Sequence, residues 1–247
     1  MKQKRVYVVA GLLFALSWGA PAEAYRPFDG TDADVAAPHE VELEVGPLGY
    51  QFEASEHWLV APALVLNYGL APGFEAVLEG RQQWALAGPH HGEFEDAALS
   101  LKSLLREGSL QDARGVSVAL ETGLLLPGSE HRFGAHIASI FSWRWPALTL
   151  HLNIGNDLLT SLHYAASASL IWEGPGAWSV RPVAEIFVER DFGAPKLAVG
   201  LEQSLLIGAI APWSDTWAFD VGLRYGRVGG VPLQEARLGF TWAFNAW

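Results

Sequence analysis

Three sets of residues in this 247-residue chain have the types and spacing to do chemistry. In the first, histidine stands near serine: His136 with Ser139, and His151 with Ser142 or Ser161. A nucleophile and its base must be in hydrogen-bond contact. Within one strand, His136 and Ser139 have opposite parity and face opposite sides. A lipid hydrolase is therefore the weaker of the functions open to this chain, and no catalytic residue is assigned. The second set is His90-His91, a pair able to chelate from a loop. No further ligand cluster at zinc spacing follows it, so no metal site is expected. There is no cysteine and no glycine-rich phosphate loop, so neither a disulfide nor a cofactor is expected.

The third set is larger. Charged residues recur at every second position of apolar segments, which puts them on one face of a strand. The acids are Glu40, Glu42, Glu44, Glu75, Glu79, Asp96, Glu121, Asp157, Glu185, Glu189, Glu202 and Asp220. The bases are Arg81, Lys102, Arg144, Arg181, Lys196, Arg224 and Arg237. Charged faces turned inward could line a hydrated passage and set its solute preference. They could equally pair as arginine–carboxylate ladders that fill a narrow barrel and seal it. Both readings stay open at this level.

What must position these residues is a set of strands. Half of the residues are hydrophobic. Beyond the first twenty residues, no apolar run reaches the roughly 18 residues of a membrane helix. The apolar content comes instead in alternating segments of about ten residues between turn signals. Twelve segments emerge: His39 to Gln51, Trp58 to Tyr68, Phe74 to Leu86, Phe94 to Leu105, Val116 to Leu126, Phe133 to Trp145, Leu148 to Leu158, His163 to Trp172, Trp178 to Arg190, Lys196 to Ile207, Thr216 to Tyr225 and Glu235 to Phe244. The pattern predicts an all-β fold, a transmembrane antiparallel up-and-down β-barrel of about twelve strands spanning residues 39–247.

The final segment carries the clearest alternation. Leu238, Phe240, Trp242 and Phe244 share one face, and Arg237, Gly239, Thr241 and Asn245 the other. An aromatic-ended strand of this kind, with Phe240, Trp242 and Phe244 on its outer face, is the expected assembly signal for the barrel-assembly machinery. Tryptophans at segment ends fit a membrane interface, where indole places an apolar body in lipid and its N–H in water. Trp143, Trp145, Trp172, Trp178, Trp217 and Trp242 fall at one end of the barrel, and Trp58 and Trp84 at the other.

The chain opens with Lys2, Lys4 and Arg5, an apolar run from Val6 to Ala20, and Ala22-Glu23-Ala24. This reads as a secretory signal peptide over residues 1–24, because the run is too short to span a bilayer. Its removal would take the formal charge from −11 to −13. Residues 25–38 then form an N-terminal segment, either a periplasmic tail or an insert in the lumen. No basic block suggests nucleic acid. The expected partners are outer-membrane lipids and an unidentified small solute.

Several stretches together resemble the outer-membrane barrel family named for a meta-pathway of phenol degradation. They are Arg26-Pro27-Phe28 with Asp32 and Asp34, Glu40-Val41-Glu42-Leu43-Glu44, Asn67-Tyr68-Gly69-Leu70 and Leu99-Ser100-Leu101-Lys102, then Glu185-Ile186-Phe187-Val188-Glu189-Arg190 and Leu238 to Phe244. The resemblance implies an outer-membrane location in a Gram-negative bacterium and passive passage of small solutes, hydrophobic or aromatic ones among them. Two departures stand out: Asn245-Ala246-Trp247 extends the chain past the usual terminal aromatic, and Asp29 to Asp34 matches the family's opening only loosely.

Overall fold

Period-two alternation leaves each segment with one apolar and one polar face, and a sheet that closes on itself gives each face its own surroundings and leaves no open edge. The structure, a computed structural model, shows that closure. It describes residues 26–88, 91–128, 133–159, 163–193 and 200–246. Twelve strands follow in chain order: β1 Glu40–Glu53, β2 Glu56–Ala71, β3 Phe74–Ala85, β4 Gly92–Arg106, β5 Ser117–Leu125, β6 Gly134–Trp145, β7 Leu148–Leu159, β8 Tyr164–Glu173, β9 Arg181–Asp191, β10 Leu201–Pro212, β11 Trp217–Val228 and β12 Val231–Asn245. Each pairs antiparallel with its sequence neighbours, and β12 returns to β1 through Glu40↔Asn245 to Glu53↔Leu233. The expected leader 1–24, together with Tyr25, His90, Ser161, Lys196 and Trp247, lies outside the described residues.

The outward face is an apolar belt. Leu66, Leu78, Leu99, Ile154, Ile186 and Leu223 are all exposed. A contiguous apolar exterior of this extent has no stable contact with water and matches a hydrocarbon solvent. Aromatic residues gather where the belt ends. Trp217 stacks on Trp242 with ring centroids 5.3 Å apart, and Trp242 meets Phe244 at 4.3 Å. Trp143 lies against Phe141, and Trp84 donates its indole N–H to the Ala61 carbonyl at 3.1 Å. Trp145, Trp172 and Trp178 are exposed at the same end as Trp217 and Trp242.

Two expectations need correction. Trp58, expected at the membrane interface, is instead buried and points into the lumen. Its cross-strand partner is Gln51, also buried, and its ring meets His91 edge-on at 5.3 Å. The cause is a bulge. The β2–β3 register shifts between Val60 and Ala63, and the extra residue at Ala61-Pro62 reverses the facing of everything before it. Related shifts fall between Val45 and Leu48 on β1 and between Glu79 and Arg81 at the β3–β4 pairing. The second correction concerns β11 and β12. They are longer than expected and meet in a tight hairpin, Val228↔Val231, around Gly229 and Gly230. Both glycines have positive φ, 58° and 89°, which two-residue hairpins require and other residues resist.

Candidate functional site

Inside the barrel many of the described charged residues converge on one feature, the N-terminal segment 26–38. It crosses the lumen as irregular backbone, and the wall supplies the hydrogen-bond partners its peptide groups lack. The N–H groups of Asp29 and Gly30 donate to Glu185 at 2.9 and 2.8 Å. Thr31 N–H donates to Asn153, Ala33 N–H to Ser142, Ala36 N–H to Glu75 and Ala37 N–H to Glu40. Buried backbone donors must be satisfied somewhere, and here inward side chains of five different strands do it.

Charge pairs pin the same segment. Lys102, 1% exposed, lies 3.6 Å from Asp32 and 3.9 Å from Glu75. Arg26 lies 3.7 Å from Asp220. It rests against two glycines of the wall, and a Cβ at Gly46 or Gly239 would come within 2.5 Å of it. Asp29 is gripped by Arg224 and Arg237. Small residues make the fit possible: Ala33 and Ala36 are buried where larger side chains would collide with the wall.

The connection between β4 and β5 closes over the segment at the end of the barrel where both terminal strands finish. Its single 3₁₀ turn, Ser109–Gln111, buries Leu110 against Ala33, Ala119 and Ile140. Gln111 donates to the Ala33 carbonyl and to Asp34. Burial pushes the Asp34 carboxyl up from its ordinary value, as does the neighbouring Asp32, while Gln111 and the Val35 N–H pull it back.

Of the residues expected to line the lumen, Glu40, Glu42, Glu44, Glu75, Lys102, Glu185, Asp220 and Arg224 are buried inside. Glu79, Arg81, Asp96, Glu121, Asp157, Glu189 and Arg237 border two internal cavities of about 230 and 340 Å³. Glu202 shares the inward parity of Ser204 and Leu206, and Arg144 that of Ser142. Arg181 pairs with Glu173 at 3.3 Å, and Arg81 with Asp96 at 2.7 Å. Asp96 sits on the β4 bulge with φ of 54°, which lets Glu95 take the next inward position. Arg26, Asp29, Glu173 and Glu235 were not among the residues expected to line the lumen. Glu235 was legible by parity with Arg237, whereas Arg26 and Asp29 lie in a segment with no alternation to read.

The serine–histidine pairing takes an unexpected form. Ser142 and His151 face each other across the β6–β7 ladder. Ser142 Oγ lies 2.8 Å from His151 Nδ1, and His151 Nε2 lies 3.1 Å from Glu173. Serine, histidine and acid thus form a row like that of a hydrolase triad, but with the roles of the two ring nitrogens exchanged. The surroundings argue against turnover: Ser142 is fully buried, and its Oγ already receives the Ala33 N–H at 2.9 Å. The arrangement anchors the segment. His136 pairs instead with Asp157, beside the cavities. Purified protein should therefore show no esterase turnover that Ser142→Ala abolishes. A chromogenic ester assay in detergent checks this, and robust activity lost in Ser142→Ala would make the triad catalytic.

No protein-family model matches the chain, and no curated protein matches it significantly. Solved structures do match it. An outer-membrane channel from Pseudomonas putida F1 superposes with a TM-score of 0.63 at 10% identity, over 88% of this chain and 100% of that one. The NanC porin gives 0.59 at 9% identity, over 82% and 98%, and the KdgM porin 0.53 at 12%, over 82% and 99%. At such identities the likeness is one of fold. All three share a closed barrel with this chain across nearly their whole length.

Proposed function

We propose that the chain is an outer-membrane channel of a Gram-negative envelope, closed by residues 26–38, that passes small solutes passively when this plug shifts. Two cavities inside a lipid-compatible barrel carry the reading. Both border the plug at Arg26, Phe28 and Asp29, and both are walled by charge. The plug is held by hydrogen bonds and ion pairs rather than by a strand pairing, so it can move while the barrel ladder stays intact. Outer-membrane lipids cover the belt, and the barrel-assembly machinery recognises the edge bearing Phe240, Trp242 and Phe244. The resemblance to the phenol meta-pathway family adds hydrophobic or aromatic solutes, for which Phe28 and Phe187 beside both cavities offer apolar contact. No chemistry is assigned to the wall; the buried serine triad serves as an anchor and not as an enzyme.

A second reading, a sealed barrel with a structural or binding role, draws on Ile140, Ile171, Val183, Leu206 and Ile210. These point inward and are buried, packing one half of the lumen with apolar side chains. Planar-bilayer recording separates the two. A channel should conduct and favour cations weakly, because acids outnumber bases around the cavities and a low-dielectric wall strengthens their field. The preference should shrink in concentrated salt, where screening shortens to about 3 Å at 1 M. Anion preference would defeat the charge argument, and absence of conductance would favour the sealed barrel.

A further inference from the structure

The carboxylate of Asp29 is held by two guanidiniums from adjacent strands. Arg237 Nη1 lies 2.8 Å from one oxygen, and Arg224 reaches the other. Each arginine is braced from behind. Arg237 Nη2 lies 2.7 Å from Glu235, and Arg224 stands 3.9 Å from both Glu185 and Glu235. Planar guanidiniums fixed in this way present their donors in advance, so a carboxylate binds without the cost of ordering them.

The charge count limits what the clamp can take. Two arginines face Glu185 and Glu235, which leaves the wall neutral without Asp29 and one negative charge in excess with it. A second carboxylate would be repelled, so an incoming one must exchange with Asp29. Exchange is open to it because Asp29 belongs to the plug and not to the wall. It also borders both cavities together with Phe28 and Phe187. The larger cavity, about 340 Å³, has the size of a small-molecule site.

We propose that Arg224 and Arg237 form a carboxylate site of the lumen, occupied in cis by Asp29, at which small aromatic carboxylates take the place of Asp29 with their rings beside Phe28 and Phe187. Exchange frees the Asp29 side chain and leaves the plug there on its backbone bonds to Glu185 and Arg237, so a solute that binds also loosens its own obstruction. That consequence rests on the channel reading; binding at the clamp does not.

Calorimetric titration of benzoate into the purified mature barrel in detergent tests the site, with benzamide as the uncharged isostere. Asp29→Asn removes the competitor and should bind benzoate about tenfold tighter than wild type, since the competent fraction rises. Benzamide should show no such gain. In the Asp29→Asn background, Arg237→Lys keeps the charge but cannot fork between Glu235 and a ligand, and should lose the gain. A heat-modifiability gel verifies that each variant is folded. Equal binding of benzoate and benzamide, no gain in Asp29→Asn, or a gain that survives Arg237→Lys would overturn the site. Conductance is read separately. Benzoate binding in a barrel that never conducts would remove the channel reading and leave the clamp. Conductance without discrimination between benzoate and benzamide would remove the clamp and leave the channel.

Discussion

Deleting residues 26–36 should raise single-channel conductance several-fold while the barrel still folds. None of these residues belongs to a strand, and the twelve-strand ladder closes without them. What the deletion removes is the backbone that satisfies Glu185, Asn153, Ser142 and Glu75, and water can take over there once the lumen is open. Lys102 keeps Glu75 as a partner. Selectivity should change as well. The segment carries Arg26 against Asp29, Asp32 and Asp34, so two net negative charges leave. Arg224, Arg237 and Lys102 each lose an acidic partner at the same time. The cation preference of the deleted form should therefore fall below that of the full chain. Planar-bilayer recording in a salt gradient reports both quantities. Unchanged conductance would show that the apolar packing around Ile140, Ile171 and Ile210, and not the plug, closes the barrel.

The wall of this molecule was legible in its sequence because the rules that build it are local. Alternation at period two and turn residues between segments suffice for strand count, pairing order and most inward faces. Glu75, Glu185 and Arg224 followed from parity alone. The failures occur where one residue changes the phase. In β2, Trp58 to Leu66 is nearly all apolar, so alternation could not show the phase change; Pro62 was the one sign that Ala61-Pro62 forms a bulge, which turns Trp58 inward. The β11–β12 hairpin was missed although Gly229-Gly230 is a strong turn signal, because Arg227 to Gln234 lacks a clear alternation.

The plug was legible only as one of two placements, a periplasmic tail or a lumen insert, and for a different reason. Arg26 to Pro38 has no period, and its position is set by partners more than a hundred residues away: Asn153 for Thr31, Glu185 for Gly30 and Ser142 for Ala33. The pair Ser142 and His151, only nine residues apart, could be named but not placed in contact, because the contact depends on the β6–β7 register. Parity within one strand rules on pairs such as His136 and Ser139. It says nothing about two residues that meet across a ladder until the register of that ladder is known. The plug is held by such cross-lumen contacts, so legibility ends at the interface between an aperiodic segment and a periodic wall.

Leu223→Arg should impair folding into lipid far more than Arg224→Leu. The two positions are adjacent on β11, yet they face opposite solvents. Leu223 is 56% exposed on the outer belt, near mid-strand, among the exposed Leu205, Val221 and Tyr225. An arginine at the bilayer midplane on the lipid face costs about 2–4 kcal/mol. A loss of that size is a large fraction of the stability a typical fold retains. Arg224 is buried in the lumen, where its loss costs Asp29, Glu185 and Glu235 one ionic neighbour. Arg237 stays within reach of Asp29 and Glu235, and the bordering cavities can admit water to the rest. The wall hydrogen bonds of β11 are main-chain bonds and survive both changes. Arg224→Leu should therefore fold to nearly the wild-type extent while its plug is held less firmly. Refolding into lipid vesicles, followed by heat-modifiability on a gel, measures the ranking. A normal yield for Leu223→Arg beside a failed Arg224→Leu would mean that the inner and outer faces of β11 are interchanged, and with them the lumen described for the whole barrel.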